Sequence, residues 1–288
     1  MSTAQTATAD RPSFSVVIPA HDEQTVIGRC LSEFVGDLDD GEAEVVVVAN
    51  GCSDATAEIA RGFRGVRVVE LAKAGKTAAL NAGDGSVTAF PRIYLDADVV
   101  VGAAALRALA QTLDTDRALA AAPAVRFATE GRPWPVRAFY RTYEAMPYLG
   151  EQMIGTGIYA MSAAGRGRFG QFPAITADDL FVQRQFTPAE RVVLSAHSFT
   201  VTTPRDTASL LKVRTRVAYG NAELAVTDPG DGELARSTGT SLSALTGLVR
   251  REPRRLAEVG AYAALTVAAR ARARRRSAAT WQRDSSSR

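Results

Sequence analysis

Two carboxylates stand one residue apart at Asp96 and Asp98, either side of Ala97, directly after the apolar run Arg92–Leu95. At a strand end such a pair can address one hard divalent cation, which keeps phosphate oxygens of a substrate among its other ligands. The alternative is an acid capping the next helix near Gly102 beside a solvated one. A second pair, Asp178 and Asp179, precedes the apolar Leu180–Val182. Adjacent carboxylates repel, so one of them titrates nearer neutral pH and can serve as a general base. The alternative is a pair of acids favoured by a helix dipole. Lys76, one of only three lysines, sits at a helix start where it can meet a phosphate or a nucleotide base.

Other chemistries lack their residues. Gly75-Lys76-Thr77 is not a phosphate-binding P-loop, because the pattern needs glycine where Glu70 stands. No G-x-G-x-x-G follows the first strand, which disfavours a dinucleotide site. No serine or cysteine occupies a nucleophile elbow. His21 and His197 cannot build a multi-histidine metal site, and each reads as a structural or peripheral polar residue. Cys30 and Cys52 are too few for a disulfide framework and lack a partner pair at metal-binding spacing. A reducing compartment is the simplest reading.

The elements that must position these acids alternate. Strands are expected at Phe14–Ile18, closed by Pro19, at Ala43–Ala49, at Val66–Leu71 and at Arg92–Asp96. Helices are expected over Glu23–Leu38, from a Ser53-Asp54 cap to about Gly62, and from Thr77 to Ala82. Strand and helix in turn imply a mainly parallel sheet with helices on both faces. Ligands of such sheets lie beyond the carboxyl ends of the strands, so residues 19–23, 50–54, 72–76 and 96–98 should meet at one crevice. Later elements are expected at Leu119–Phe127, Val192–Val201 and Gly155–Ser162 (strands), and at Pro135–Tyr148, Ala177–Phe186, Ala208–Val226 and Leu256–Ala269 (helices).

The 288 residues are 46% apolar, enough for a sizeable core and too apolar for a disordered chain. A net charge of +3 conceals an asymmetry: residues 250–288 carry +8 and the rest −5. The N-terminus has no apolar segment of the secretory kind, and no run reaches the roughly 18 apolar residues that span a bilayer. A cytoplasmic protein is expected, either free or at the inner face of the membrane; nucleic acid is not expected as a partner. Within residues 250–276, eleven uncharged residues, Val259–Ala269, precede Arg270, Arg272, Arg274, Arg275 and Arg276. Such a segment can lie on an anionic membrane as a peripheral contact, or pack on the body with its arginines matching the helix dipole.

Six ordered segments resemble the family 2 glycosyltransferases of the nucleotide-sugar-binding GT-A fold. They are Phe14–Glu23 (FSVVIPAHDE), Val48–Thr56 (VANGCSDAT, similar to DGS-x-D-x-T) and Ala74–Gly83 (AGKTAALNAG, similar to GK-x-x-ALN-x-G). Tyr94–Asp98 (YLDAD), Gly155–Met161 (GTGIYAM) and Pro173–Asp179 (PAITADD, similar to an ED motif) complete the set. The resemblance covers about residues 13–225. It implies a GT-A domain over 13–228, with a nucleotide-binding half to residue 100 and an acceptor half from 101. A linker over 229–242, a basic helical extension over 243–276, and disordered ends over 1–12 and 277–288 complete the expected organisation.

The resemblance also implies roles. Pro19, Ala20, Glu23 and Asn50 would line the nucleotide pocket with Lys76 nearby. Asp96 and Ala97 would face the nucleotide, and Asp98, with Asp96, would hold Mg²⁺ or Mn²⁺ at the diphosphate. Asp179 would be the general base, with Asp178 orienting it. The reaction implied is inverting transfer from a nucleoside-diphosphate sugar, a UDP-sugar by expectation, to an acceptor hydroxyl on a glycan, lipid-linked or small molecule. Departures are Asn50 for the usual Asp, His21 for Asn, and Asp178 for Glu. The late Q-x-x-R-W motif is absent; Lys212, Arg214 and Arg216 either replace it over the diphosphate or form a solvated basic face. The rivals are a nucleotidyltransferase, which wants a basic Gly-rich loop where Ala20–Gln24 is acidic, and a non-catalytic binding module.

Overall fold

A run of four valines, Val45–Val48, is buried on both sides, and its side chains alternate between two separate cores. Val45 and Val47 join one core, Val46 and Val48 the other, so the strand that carries them must be covered on both faces. In the computed structural model, which describes residues 12–115, 117–146, 153, 157–227 and 242–275, this strand is β2 (Ala43–Asn50) of a seven-stranded sheet. Its companions are β1 (Phe14–Ala20), β3 (Val66–Leu71), β4 (Arg92–Leu95), β5 (Ala120–Ala128), β6 (Ile158–Met161) and β7 (Arg191–Thr202), in the order β3-β2-β1-β4-β6-β5-β7.

β1 pairs in parallel with β2 on one side and β4 on the other, and β2 with β3. β6 runs antiparallel between β4 and β5, and β5 pairs in parallel with β7 across a register shift at Pro123/Ala124. This is an α/β fold with a mainly parallel sheet, as the alternation of elements predicts. Pro19 does not close β1; the strand continues to Ala20, paired residue for residue with β2.

The helices are α1 (Ile27–Ser32), α2 (Thr56–Arg61), α3 (Lys76–Asp84), α4 (Ala103–Leu113), α5 (Trp134–Glu144), α6 (Ala163–Arg166), α7 (Asp178–Arg184), α8 (Thr207–Thr227), α9 (Leu242–Arg251) and α10 (Leu256–Arg274). α1 and α4 contribute Ile27, Leu31, Leu106 and Leu109 to the first core; α3 and α7 contribute Ala79, Leu80, Leu180 and Val182 to the second. The expected helix over Glu23–Leu38 is instead a short α1 followed by a 3₁₀ turn at Val35–Asp37. Its apolar residues keep helical spacing, yet Glu23 belongs to a crevice loop that turns through Asp22 at φ 50°. Nor do Ser53 and Asp54 cap α2 in the usual sense. Ala55 is the first flanking residue, and Asp54 Oδ1 accepts the Thr56 N–H at 3.0 Å.

α3 is fastened from below. Asp84 at its end, almost fully buried, accepts from Arg92 Nη1 (2.7 Å), Tyr94 Oη (2.7 Å) and Arg166 Nε (2.6 Å), which joins α3 to β4 and α6. α10 lies across α5 and α8. Its Tyr262 stacks on Phe139, ring centres 4.8 Å apart, within a cluster of Val136, Tyr140 and Leu210. No described helix is long and apolar enough to cross a membrane. The expectations for residues 1–11, 229–241 and 277–288, and for Pro147, Tyr148, Gly155 and Thr156, lie outside the described residues.

Candidate active site

The connections from β1 run to β2 and β3 on one side, while β4 lies on the other, so the carboxyl ends of β1, β2 and β4 border a topological switch point. The loops there are bonded to one another. Asn50, the last residue of β2 and fully buried, donates its amide to Ala20 O (2.7 Å) and Val48 O (3.3 Å). Its Oδ1 accepts the Gly75 N–H at 2.9 Å. One side chain thus holds the loops after β1, β2 and β3 together. Glu23 joins the same assembly by donating its N–H to Thr56 Oγ1 at 2.7 Å. Pro19 and Ala20 are buried in the sheet beneath it.

Lys76, the first residue of α3, reaches across the crevice. Its Nζ lies 2.9 Å from Asp96 Oδ1 and 3.2 Å from Asp178 Oδ1. Burial works against the ammonium charge, but Asp178, Asp96 and Asp179 together outweigh it and hold the lysine protonated well above its ordinary range. Asp178 opens α7 and is 3% exposed. Burial pushes its carboxyl up to about 6; Lys76 opposes that rise, and the charges of Asp179 and Asp96 add to it. Its Oδ2 is enclosed with no hydrogen-bond partner among the described residues. Tyr159 on β6 is buried too, and burial first, then the Asp178 charge, keep its hydroxyl protonated.

Asp96 is aimed by its own backbone: its N–H donates to Gly157 O at 2.7 Å. Gly157 adopts φ 74°, and a Cβ there would stand 2.6 Å from Val99 Cγ2 and 3.2 Å from Asp96 Oδ2. Glycine is required by both the backbone angle and the close approach. Two residues along the chain, Asp98 is exposed while Ala97 is buried between them. Asp179 is half-buried, its Oδ1 accepting the N–H of Leu180 at 2.8 Å.

α8 supplies what the sequence pattern did not reveal. A Cβ on Gly220 would lie 3.2 Å from the Cβ atoms of both Thr176 and Ala177, so this helix rests directly on the turn that enters α7. Glu223 Oε2 accepts the Thr176 N–H at 2.8 Å. A glycine inside a helical pattern was the available signal. Arg216 is one turn before Gly220 and Lys212 one turn before that, so the face that meets the α7 turn continues through both. Arg216 is half-buried and Lys212 exposed. Arg214 turns aside, its guanidinium 5.2 Å from the Phe139 ring centre and 5.7 Å from that of Tyr143.

Chemically, the crevice brings one ammonium, two carboxylates bonded to it, and the neighbouring carboxylate of Asp179 to a single switch point, with Asp98 two residues beyond Asp96 on the same loop. That set can meet a polyphosphate, a hard cation and a hydroxyl proton.

The model of glycosyl transferase family 2 matches residues 15–171. No curated protein matches the chain. Among solved structures, the mannosyltransferase PcManGT from Pyrobaculum calidifontis, in complex with GDP-Man and Mn²⁺, is similar over 93% of this chain and 77% of its own, with a TM-score of 0.60 at 20% identity. S. aureus TarS 1-349 in complex with UDP is similar over 89% and 88%, with a TM-score of 0.53 at 17% identity. Glucosyl-3-phosphoglycerate synthase from Mycobacterium tuberculosis, with Mn²⁺, UDP and glucosyl-3-phosphoglycerate, is similar over 76% and 80%, with a TM-score of 0.55 at 19% identity. These likenesses are of fold, and they agree with the GT-A architecture of the sheet. With more than half of its residues under the family model, this chain belongs to glycosyl transferase family 2 and is a glycosyltransferase.

Proposed function

We propose that the chain moves a sugar from a nucleoside-diphosphate sugar, a UDP-sugar in this reading, to an acceptor hydroxyl by direct displacement with inversion. The observation that carries the reading is Lys76 bonded at once to Asp96 and Asp178, which draws the donor-side and acceptor-side acids to one crevice.

Pro19, Ala20, Glu23, Asn50 and Ala97 form the donor pocket. Asn50 serves it from beneath, since its amide is engaged by the loop carbonyls, and the base falls to the loop that carries Glu23. Asp98 fits a hard divalent cation, being an exposed carboxylate two residues from a second one. Asp96 is the secondary ligand, because its Oδ1 faces Lys76. A Mg²⁺ or Mn²⁺ ion, when bound, supplies positive charge to the departing diphosphate. Lys76 adds a permanent cation to the same region, and Lys212 and Arg216 close over it from α8. Asp179 takes the proton of the acceptor hydroxyl. It is the half-exposed member of its pair, whereas Asp178 is enclosed and ion-paired, and so positions Asp179 and the turn. The catalytic unit in this reading is residues 13–228, with 243–276 as an extension.

A thermal-shift panel of UDP, GDP, dTDP and CMP, each with and without Mn²⁺, tests the donor site, since a ligand of the folded state raises its melting temperature. A Mn²⁺-dependent shift selective for UDP supports the proposal. A selective GDP shift replaces the base, and no shift with any nucleotide overturns the donor site.

The extension favours a membrane-surface role beside catalysis. α10 buries Tyr262 and Ala269 against the body while leaving Leu256 and Val267 63% and 65% exposed, together with Arg270, Arg272, Arg274 and Arg275. Apolar side chains beside arginines suit an anionic lipid surface.

A further inference from the structure

His21 and Asp22 on the loop after β1, and Cys52 on the loop after β2, place one ligand atom each within 4.8 Å of one another. We propose that these three side chains form a site for a thiophilic divalent cation of the Zn²⁺ class, separate from the hard-cation position at Asp98. The inference does not rest on the transferase reading: it stands on the geometry of these three side chains, which flank donor-pocket residues on the loops after β1 and β2 and lie apart from the loop that carries Asp98.

The orientation of each ligand supports it. His21 Nδ1 lies 2.7 Å from Asn50 O. A carbonyl oxygen only accepts, so Nδ1 carries the proton, and in the neutral ring Nε2 is the lone-pair nitrogen. That nitrogen lies 3.9 Å from Asp22 Oδ2. A backbone carbonyl fixing the tautomer of a histidine is the usual support behind a metal-bound imidazole. Asp22 is supported in the same way: Oδ1 accepts the Ser53 N–H at 2.7 Å, which leaves Oδ2 toward His21. Its backbone sits at φ 50°, an uncommon angle for aspartate, held by the bonds between the two loops. Cys52 Sγ completes the triangle, 3.5 Å from Ala20 O and from the Asp22 N–H.

The distances suit the metal. Ligands about 2.0–2.3 Å from a tetrahedral Zn²⁺ stand about 3.3–3.8 Å from one another, so small side-chain rotations close the set. Nitrogen, sulfur and one carboxylate oxygen select Zn²⁺ or Co²⁺ over Mg²⁺ and Mn²⁺, which prefer all-oxygen sites. Three protein ligands leave the fourth position to water. Burial raises the Cys52 thiol, so the metal-free protein holds it as S–H. Binding then forms the metal–sulfur bond and releases that proton to solvent.

Cobalt titration of the full, reduced chain is decisive, because a thiolate–Co²⁺ bond gives a near-ultraviolet charge-transfer absorption that oxygen ligands do not. The expected result is that absorption saturating at one equivalent, abolished by Zn²⁺ displacement and by Cys52→Ser. It should persist in Cys30→Ser and in Asp98→Asn, the latter separating this site from the donor-side cation. His21→Gln should weaken Co²⁺ about 10-fold or more. A second measurement uses the unaltered protein: Zn²⁺ should protect Cys52 from iodoacetamide, read by mass spectrometry. No charge-transfer absorption, its survival in Cys52→Ser, or alkylation of Cys52 at the same rate with Zn²⁺ overturns the site.

Discussion

The ammonium of Lys76 lies 3.2 Å from the carboxylate of Asp178, joining the start of α3 to the start of α7 across the crevice. The partners are unequal: Asp178 is enclosed, whereas the Lys76 side chain is 26% open. Removing the cation strands a buried charge. Lys76→Met should therefore destabilise the fold by roughly 2–3 kcal/mol at pH 7, below the about 3–5 kcal/mol of a fully enclosed pair. The loss should shrink at pH 5, where Asp178 takes up a proton. Urea unfolding at the two pH values checks this; an equal loss at both would show that Asp178 is not the group left behind.

Asp178 carries its own pH signature. Its folded pKa, about 6, lies above the ordinary 3.8, so ionisation costs the folded state. The contribution of this group is fully present below about pH 4 and is lost as pH rises through 6. Against Asp178→Asn, which does not titrate, the wild type should gain up to about 3 kcal/mol in relative stability between pH 7 and pH 4. Paired unfolding curves across that range measure it, and a flat difference would refute the shifted titration.

The two acidic pairs should separate in kinetics. Asp98→Asn should abolish metal-dependent transfer and the Mn²⁺-dependent part of the nucleotide thermal shift. Asp179→Asn should lower turnover by about 10²–10⁴-fold, the usual worth of a positioned base, with donor binding nearly intact. Wild-type turnover in Asp179→Asn would remove it from the base role.

How much of this was legible in the sequence depended on the range of the interaction. β1, β2 and the meeting of four loops followed from β-branched runs and the strand–helix alternation, because both are local patterns with a global rule attached. The pairing of Lys76 with Asp178 was not legible, since it requires β6 to run antiparallel beside β4 and bring the later segment back. Glu23–Leu38 was overextended for the opposite reason. Val26, Ile27, Leu31, Phe34 and Val35 keep helical spacing whether the chain forms one helix or a helix and a 3₁₀ turn. Asn50 reads in the sequence as a pocket-lining residue in place of the usual Asp; its amide geometry shows a clamp among loops, which residue type alone does not encode. His21 and Cys52 were set aside because neither has a partner at motif spacing, yet they converge from two different loops.

Gly157 is the narrowest constraint on the donor-side acids. Alanine there would keep an unfavourable φ of 74° and drive a methyl to within 2.6 Å of Val99. The expected cost is about 1–3 kcal/mol, seen as a lower melting temperature. Because Gly157 O also accepts the Asp96 N–H, the same change should weaken Mn²⁺-dependent nucleotide binding. An unchanged melting temperature would mean that the loop moves freely and does not fix Asp96.

The lipid reading is best tested without disturbing the packing of α10. Deleting the helix would strip Tyr262 from Phe139 and uncover an aromatic cluster, confounding membrane loss with misfolding. Replacing the exposed Arg270, Arg272, Arg274 and Arg275 by glutamine leaves that contact in place. Each arginine near an anionic surface is worth about 1 kcal/mol, so the fourfold variant should lose most of its binding to phosphatidylserine-containing vesicles at low salt. Flotation of the two proteins, with the melting temperature as a control for the fold, provides the comparison. Equal flotation would assign the arginines to the helix dipole and to solvation, and α10 to a purely structural role against α5 and α8.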